Sequence, residues 1–321
     1  MALPESFIDK LSIPVVSAPM FLASNPKMVV ANCINGVVGT FPAANQRTTA
    51  GLEEWLIEIK AELAAYEAST GKVAAPFGVN LIVHKSNARL EQDLAMLVKH
   101  QVPLVITSLG AISTVVDAIH SYDGVVFHDV VNARHGKKAQ QAGVDGLIAV
   151  TTGAGGHAGT LHPFALIQEL KKFFTGTLLL SGGISTGAEI AAAKCLGVDL
   201  VYMGTRFLAT QECQVSNEYK QMLIESSASD IIYTNAISGI PANFLTSSVE
   251  QAGFDLNNLP TPDGFDIGAE MDEVNDNPDD AKPWKDIWSA GHGVSAIDSV
   301  LPISNLIEQL QHEYQQATTQ L

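Results

Sequence analysis

The sequence predicts an α/β fold, a (β/α)8 TIM barrel with a smaller, mainly helical and loop-rich second domain inserted after strand 8. The chain has 321 residues, a length that suits one barrel with an insertion. Eight short apolar runs do not alternate with polar residues, which is typical of parallel strands buried on both faces. Helical patterns separate these runs, and the count of eight and the placement of the motifs described below favour a closed barrel over the alternative, an open doubly wound sheet. The predicted strands are Ile13–Ala18, Val37–Phe41, Phe77–Leu81, Leu104–Thr107, Val125–Asp129, Gly146–Val150, Thr177–Ser181 and Leu200–Met203.

Helices between the strands complete the predicted barrel. They cover Pro26–Ile34, Leu52–Ala68, Ala88–His100, Ser113–His120, Ala133–Ala142, Pro163–Phe174 and Ala188–Leu196. After Thr210 the alternation stops, so we expect residues 1–215 and 285–321 to form the barrel and residues 216–284 to form the inserted domain. In this insert, Pro260–Lys282 is dense in Asp, Glu, Asn and Pro, which predicts a solvated surface loop. The amphipathic pattern of Ile303–Gln315 predicts a last helix that returns to the barrel.

The composition narrows the possible partners. Hydrophobic residues make up 46% of the chain, charged residues make up 16%, and the net charge is −16. Because nucleic acids and anionic membranes bind clustered Lys and Arg, neither partner is expected. No apolar run is long enough to span a bilayer and no signal peptide is evident, so we expect a cytoplasmic protein. Cys33, Cys195 and Cys213 lack metal-ligand spacing, no metal site is predicted, and Cys33 and Cys195 are expected to be buried, reduced thiols.

Two glycine turns follow the seventh and eighth predicted strands. They are Ser181–Thr186 (SGGIST) and Met203–Phe207 (MGTRF). In a (β/α)8 barrel the loops after these strands are the usual phosphate site, since glycines let backbone N–H groups approach an anion and the next helix start adds a favourable dipole. One such turn alone is more simply a tight connection, but the pair predicts phosphate binding. The predicted phosphate ligands are Gly182, Gly183, Gly204 and Thr205.

A third glycine-rich loop, Thr151–Gly159 (TTGAGGHAG), follows the sixth strand. Gly153, Gly155 and Ala158 match a dinucleotide fingerprint, but no acidic residue ends the following strand, so we reject that interpretation. The loop favours instead a site that wraps a planar ring and presents His157 beside it. An imidazole titrates near working pH and is a candidate general base, with a structural histidine as the alternative.

Other strand ends contribute side chains to the same mouth of the barrel. Pro19 and Met20 follow strand one, and Met20 either contacts an aromatic ring or belongs to the core. Asn80 ends strand three, where its amide can reach ring heteroatoms. His128 and Asp129 end strand five and either face the site, pair with each other or cap the next helix. Motifs of hydrolases (GxSxG), zinc proteases (HExxH) and P-loop NTPases are absent from the sequence.

Together these segments resemble the nitronate monooxygenase family, formerly called 2-nitropropane dioxygenases. The resemblance runs through most of the chain, in SAPM, PFGVN, AGGHAG, LLLSGGIST, LGVDLVYMGTRFLAT and IWSAGHGV. It implies a TIM barrel with FMN as cofactor, which oxidises alkyl nitronates with O2 to a carbonyl compound and nitrite. It also implies that His157 is the base toward neutral nitroalkanes and that the two glycine turns bind the FMN phosphate. The further candidate cofactor contacts are Pro19, Met20, Asn80, Asp129, Gly155, Gly156 and Ser181.

The chain departs from many members of this family at Asp129, where they have a lysine. Positive charge near a flavin ring stabilises its reduced form, so a carboxylate at this position changes the expected redox poise. Two sister activities on the same scaffold stay open, NAD(P)H:quinone reductase and flavin-dependent enoyl-acyl-carrier-protein reductase. A flavin-free synthase or isomerase, or a non-catalytic phosphate-ligand binder, is the remaining alternative. The sequence leaves the oligomeric state open, with a homodimer as one option.

Overall fold

A closed eight-stranded barrel forms the body of the computed structural model, which describes residues 3–84, 86–110, 112–260 and 285–319. The barrel strands are parallel, each pairs with the next one along the barrel, and the last pairs with the first. They are β1 (Val15–Ser17), β2 (Val38–Pro42), β3 (Gly78–Ile82), β4 (Leu104–Ser108), β5 (Val125–Val130), β6 (Gly146–Val150), β8 (Thr177–Ser181) and β9 (Leu200–Met203). The predicted fold class is confirmed, and every predicted barrel strand overlaps an observed one.

Alternation along each strand divides the barrel into an inner and an outer layer. Val125 and Phe127 of β5 belong to the cluster that fills the barrel interior, whereas Val126 packs into the layer beneath the helices. The N-terminal 3-10 turn places Phe7 against Phe127, with ring centroids 5.8 Å apart in an edge-on arrangement. Because Phe7 covers the N-terminal ends of the strands, the side chains at their C-terminal ends are the ones left to form a site.

Helices surround the barrel close to the predicted positions. They are α1 (Pro26–Ile34), α2 (Thr49–Thr70), α3 (Leu90–Lys99), α4 (Ser113–His120), α5 (Ala133–Gln141), α6 (Pro163–Lys171), α7 (Gly187–Cys195) and the short α8 (Thr205–Leu208). The prediction that Cys195 is buried is wrong, since its side chain is exposed. Ile190, Ala191 and Ala193 belong to the buried face of α7, whereas Cys195 is the last residue of the helix and is not part of that face. Cys33 is buried as expected.

The chain after the barrel strands contains a small antiparallel sheet that the sequence pattern did not predict. Its strands are β10 (Ile231–Thr234), β11 (Ala242–Leu245) and the two-residue β7 (Gly156–His157), which lies within the loop after β6. Helices α9 (Asn217–Glu225) and α10 (Thr246–Gln251) flank it in sequence. The division at residues 216–284 stays a prediction, and most of the predicted acidic loop lies outside the described residues.

The last helix, α11 (Ile303–Thr319), returns to the barrel, as its amphipathic pattern predicted. Ile303, Leu306, Ile307 and Leu310 form its buried face. A Cβ on Gly187 would lie 2.4 Å from Leu310 O, so glycine at the start of α7 permits the close packing of the two helices. In the part of the chain that the structure describes, no helix combines the length and apolarity required to cross a membrane.

Candidate active site

A cavity of about 1310 Å³ opens at the C-terminal ends of the barrel strands. Small-molecule sites are typically about 300–1,000 Å³, so this cavity has room for a cofactor and a substrate together. The predicted site residues that line it are Pro19, Met20, Asn80, Asp129, Gly155, Gly156, His157, Ser181, Gly204 and Thr205. Gly182 and Gly183 follow Ser181 directly but are not part of the cavity wall.

The turn after β8 presents backbone N–H groups that have no acceptor. Gly182 and Gly183 have φ values of +122° and +69°, which favour glycine. A Cβ on Gly182 would lie 2.5 Å from Thr151 Oγ1, so this turn packs tightly on the loop after β6. Within the described chain no backbone acceptor pairs with the N–H group of Gly182 or Gly183. Both groups are therefore available to an anion.

The start of α7, which we expected to add a favourable dipole to a phosphate site, already has carboxylate acceptors for its first N–H groups. Glu189 Oε2 accepts from the N–H groups of Ser185 (2.6 Å) and Thr186 (2.9 Å). The Gly187 N–H donates to Glu313 Oε2 (2.7 Å). Carboxylates thus satisfy these groups already, in the capping box that Thr186 and Glu189 form. Any phosphate held here depends on the glycine turns themselves.

The turn after β9 meets a segment from the far end of the chain. The Gly291 N–H donates to Thr205 Oγ1 (2.9 Å). A Cβ on Gly155 would lie 2.9 Å from Gly291 N and 3.0 Å from Thr205 Oγ1, so glycines permit this close approach. Because its oxygen accepts from Gly291, Thr205 keeps its hydroxyl hydrogen for an anion. The role of Gly291 was not predicted from the sequence, although the glycines of the AGHG segment were a signal for close backbone packing.

His157 is positioned by strand pairing. In β7 it lies opposite Ala242 of β11, and Asn243 of β11 donates from Nδ2 to Ala154 O (2.7 Å). The His157 side chain is exposed to the cavity, while desolvation by the surrounding protein lowers the pKa of its imidazole to about 4. At neutral pH the ring is therefore uncharged, and it can accept a proton as a weak base.

Four polar side chains form what we call the polar floor of the cavity: Asn80, Ser108, Asp129 and Tyr202. Asn80 Nδ2 donates to Ser108 Oγ (2.7 Å), and Ser108 Oγ donates to Asp129 Oδ2 (2.5 Å). Burial raises the pKa of the Asp129 carboxyl to about 6, although the Ser108 hydrogen bond opposes the rise. Burial, together with the Asp129 charge, raises the pKa of the Tyr202 phenol well above its ordinary value. Ser108 and Tyr202 were missed, although Ser108 follows the fourth predicted strand directly.

The two alternative roles considered for His128 and Asp129 are not observed. His128 Nδ1 lies 2.7 Å from Thr107 Oγ1, and Asp129 bonds to Ser108 instead of to His128. Asn132 caps α5, since its Oδ1 accepts from the His135 N–H (2.9 Å). Burial lowers the pKa of His128 to about 4. Both residues line the cavity, which agrees with the interpretation that they face the site.

Aromatic and sulfur-containing side chains also line the cavity. Met20 lines the cavity, and its Sδ lies 3.6 Å from the position of a Cβ on Gly204. Tyr219 stacks on Trp288 with ring centroids 4.9 Å apart and an angle of 9° between the rings, and its hydroxyl donates to Ser289 O. This stack was not predicted from the sequence, because α9 and the segment after residue 284 are far apart in the chain.

The arrangement suits a ligand that carries both a phosphate and a flat polar ring. Unpaired backbone amides and the Thr205 hydroxyl can bind the anion, while the polar floor offers donors and acceptors to ring heteroatoms. His157 adds a neutral imidazole that can accept a proton. Among the described residues no group of three or more His, Cys, Asp or Glu side chains could hold a metal ion.

The chain is similar to known proteins along most of its length. The family model for nitronate monooxygenase matches residues 86–313. A nitronate monooxygenase from Paraburkholderia phytofirmans is 26% identical, over 99% of this chain and 96% of the relative. An octahydro-1H-indene-4-carboxyl-CoA dehydrogenase from Rhodococcus jostii is 27% identical, over 75% of this chain and 65% of the relative.

Two solved structures show the same fold. A nitroalkane oxidase from Streptomyces ansochromogenes has a TM-score of 0.80 and 23% identity, over 99% of this chain and 100% of that protein. FabK from Thermotoga maritima has a TM-score of 0.78 and 23% identity, over 97% of this chain and 95% of that protein.

Proposed function

Since the chain belongs to the nitronate monooxygenase family, we propose that it uses FMN and O2 to oxidise alkyl nitronates to carbonyl compounds and nitrite. It is an oxidoreductase, and oxidation of nitronates is the reaction of the family. One observation carries the more specific proposal. The glycine turn after β8, whose amides have no backbone acceptor among the described residues, directly follows Ser181, and Ser181 lines the cavity together with the polar floor and His157.

The residues at this end of the barrel fit FMN. The Gly182 and Gly183 N–H groups, the turn at Gly204 and the Thr205 hydroxyl would hold its phosphate. The candidate contacts to the rest of FMN are Pro19, Met20, Asn80, Asp129, Gly155, Gly156 and Ser181. When bound, FMN supplies the electron acceptor of the reaction. The chain would position FMN and the substrate, exclude water from the cavity, and accept or hold protons at its own side chains.

His157 would act differently on the two forms of the substrate. A nitronate has already lost its α-proton, so His157 only has to orient it. A neutral nitroalkane must transfer that proton to the imidazole, whose pKa of about 4 makes it a weak base. We therefore expect turnover of nitronates to be faster than turnover of the corresponding nitroalkanes.

The proposal is tested by nitrite release from an alkyl nitronate in air without NAD(P)H. Loaded with FMN, the protein should form nitrite with the nitronate. The His157→Ala variant should lose most activity toward the neutral nitroalkane and keep activity toward the nitronate. His312→Gln, an exposed position on α11, is the matched control and should behave as the wild type. No nitrite from a nitronate, with FMN bound, would refute the proposed reaction.

A second candidate is an NAD(P)H-dependent flavin reductase that acts on a quinone or an enoyl thioester. The size of the cavity favours it, since about 1310 Å³ exceeds the usual range of about 300–1,000 Å³ for small-molecule sites and leaves room for a substrate larger than a small nitronate. A relative that bears the name of a CoA-ester dehydrogenase also supports it. Rapid anaerobic bleaching of the bound flavin by NADPH, with no bleaching by a nitronate, would select this candidate over the first.

A further inference from the structure

We propose that Asp129 is a proton acceptor coupled to the flavin: it takes up one proton when a flavin ring bound in this cavity accepts two electrons. The inference rests on the proposed function, because it requires a flavin ring over the polar floor. A carboxylate at this position can compensate a negative charge on the ring only by binding a proton.

The position of Asp129 places its carboxyl inside the mouth of the barrel. Val125 and Phe127 of β5 belong to the cluster in the barrel interior, and Asp129 continues this alternating series toward the C-terminal end. There the residue lines the cavity. A negative charge gained by a ligand above the polar floor would therefore act on this carboxyl at close range.

The hydrogen bonds of Asp129 suit both protonation states. When the carboxyl is ionised, the Ser108 hydroxyl donates to Oδ2 over 2.5 Å, and Asn80 Nδ2 donates to Ser108 Oγ. When Oδ2 carries a proton, it can donate to Ser108 Oγ and the serine hydrogen can turn toward the cavity. Oδ1 is buried and has no partner in the described chain, so nothing there stabilises a second negative oxygen.

No cation of the described chain compensates the Asp129 charge. None of its ion pairs includes Asp129, and the pKa of Asp129 responds to burial and to the Ser108 hydrogen bond alone. The titratable or charged groups that lie beside it or share its cavity are His128 on β5, Tyr202 on β9, His135 and Lys138 on α5, His157 on β7, Tyr219 on α9, Tyr233 on β10, and Lys285. Burial lowers the pKa values of His128 and His157 to about 4, so both are neutral near pH 7.

The proposed step is balanced in protons and electrons. The reductant supplies two electrons, and in the enzyme this reductant is the nitronate or NAD(P)H. Solvent supplies two protons, of which one binds the flavin ring and one converts the Asp129 carboxylate to the acid. The ring then keeps one negative charge beside a neutral carboxyl. Without Asp129, the same two electrons are accompanied by one proton.

The test is the pH dependence of the flavin midpoint potential, with dithionite as the reductant in FMN-loaded protein. Above about pH 6, where Asp129 is ionised before reduction, the wild type should take up two protons per two electrons. Asp129→Asn should take up one, so the slope of potential against pH should halve. Tyr202→Phe and His157→Gln should keep the slope of the wild type, because neither residue is the proposed acceptor.

A second measurement does not depend on the stability of a variant. The infrared difference spectrum of the wild type on reduction should show a new protonated-carboxyl band that shifts in ²H2O. Absence of that band, or an unchanged slope in FMN-loaded Asp129→Asn, would overturn the role of Asp129 and leave the proposed function standing. A wild-type protein that does not bind FMN would instead refute the proposed function itself.

Discussion

Replacement of Gly182 by alanine tests the glycine turn after β8. The residue has a φ of +122°, and a Cβ there would lie 2.5 Å from Thr151 Oγ1 and 2.9 Å from Thr152 O. Strained backbone of this kind costs about 1–3 kcal/mol, and the overlap must push the turn away from the loop after β6. If the turn keeps its position only in part, FMN binding should weaken by about 10- to 100-fold, at about 1.4 kcal/mol per tenfold change.

The assay is a titration of FMN with protein, followed by flavin fluorescence at equilibrium. Gly71→Ala is the matched control, because Gly71 ends α2 at a φ of +69° with no atom within 4 Å of an added Cβ. That variant should lose about 1 kcal/mol of stability and bind FMN as the wild type does. An affinity of Gly182→Ala within about twofold of the wild type, which is less than 0.5 kcal/mol, would refute the assignment of this turn to the phosphate.

Three further predictions concern single side chains. Thr205→Val removes the acceptor of the Gly291 N–H and should weaken FMN binding by about tenfold, or about 1–2 kcal/mol, in the same fluorescence titration. In the wild type, nitroalkane turnover should rise as pH increases through about 4, since only the neutral His157 imidazole accepts a proton. His157→Gln should flatten this rise, which initial rates of nitrite formation measure. Burial raises the pKa of Asp129 from 3.8 to about 6, so the contribution of Asp129 to the free energy of unfolding should fall by at most about 3 kcal/mol as the pH rises between those values, less where cavity water screens the charge. The Asp129→Asn variant should lack this pH-dependent contribution, which is measured by comparing the free energies of urea unfolding of the two proteins without FMN.

Each of these predictions has a result that contradicts it. Unchanged FMN affinity in Thr205→Val would mean that the hydrogen bond from the Gly291 N–H to Thr205 Oγ1 does not contribute to FMN binding. A nitroalkane pH profile that is the same in His157→Gln would assign the proton to another group. Equal pH dependence of unfolding in the wild type and Asp129→Asn would show that the carboxyl is well solvated in the cavity.

The barrel was predictable because its signals are local. Strands buried on both faces are continuous apolar runs, and three of them, Gly146–Val150, Thr177–Ser181 and Leu200–Met203, match the observed strands residue for residue. The glycine turns were visible for the same reason, since each directly follows a strand. Fold geometry then brings the strand ends to one mouth of the barrel.

The missed features depend on contacts between distant parts of the chain. His157 pairs with Ala242 through a strand of only two residues, which is too short for any periodicity. The stack of Tyr219 on Trp288 and the bond from Gly291 to Thr205 join segments about 70 or more residues apart. We expected the start of α7 to contribute a favourable dipole. That expectation did not take into account the capping box that Thr186 and Glu189 form, although both residues are visible in the sequence.

The most direct test of the proposed function is the visible spectrum of the protein after it is mixed with FMN, gel-filtered and titrated anaerobically with an alkyl nitronate. The two glycine turns, the polar floor and His157 predict that flavin absorbance stays with the protein. They also predict that the nitronate bleaches the bound flavin without NAD(P)H. A protein that elutes colourless, or whose bound flavin does not respond to the nitronate, would contradict it.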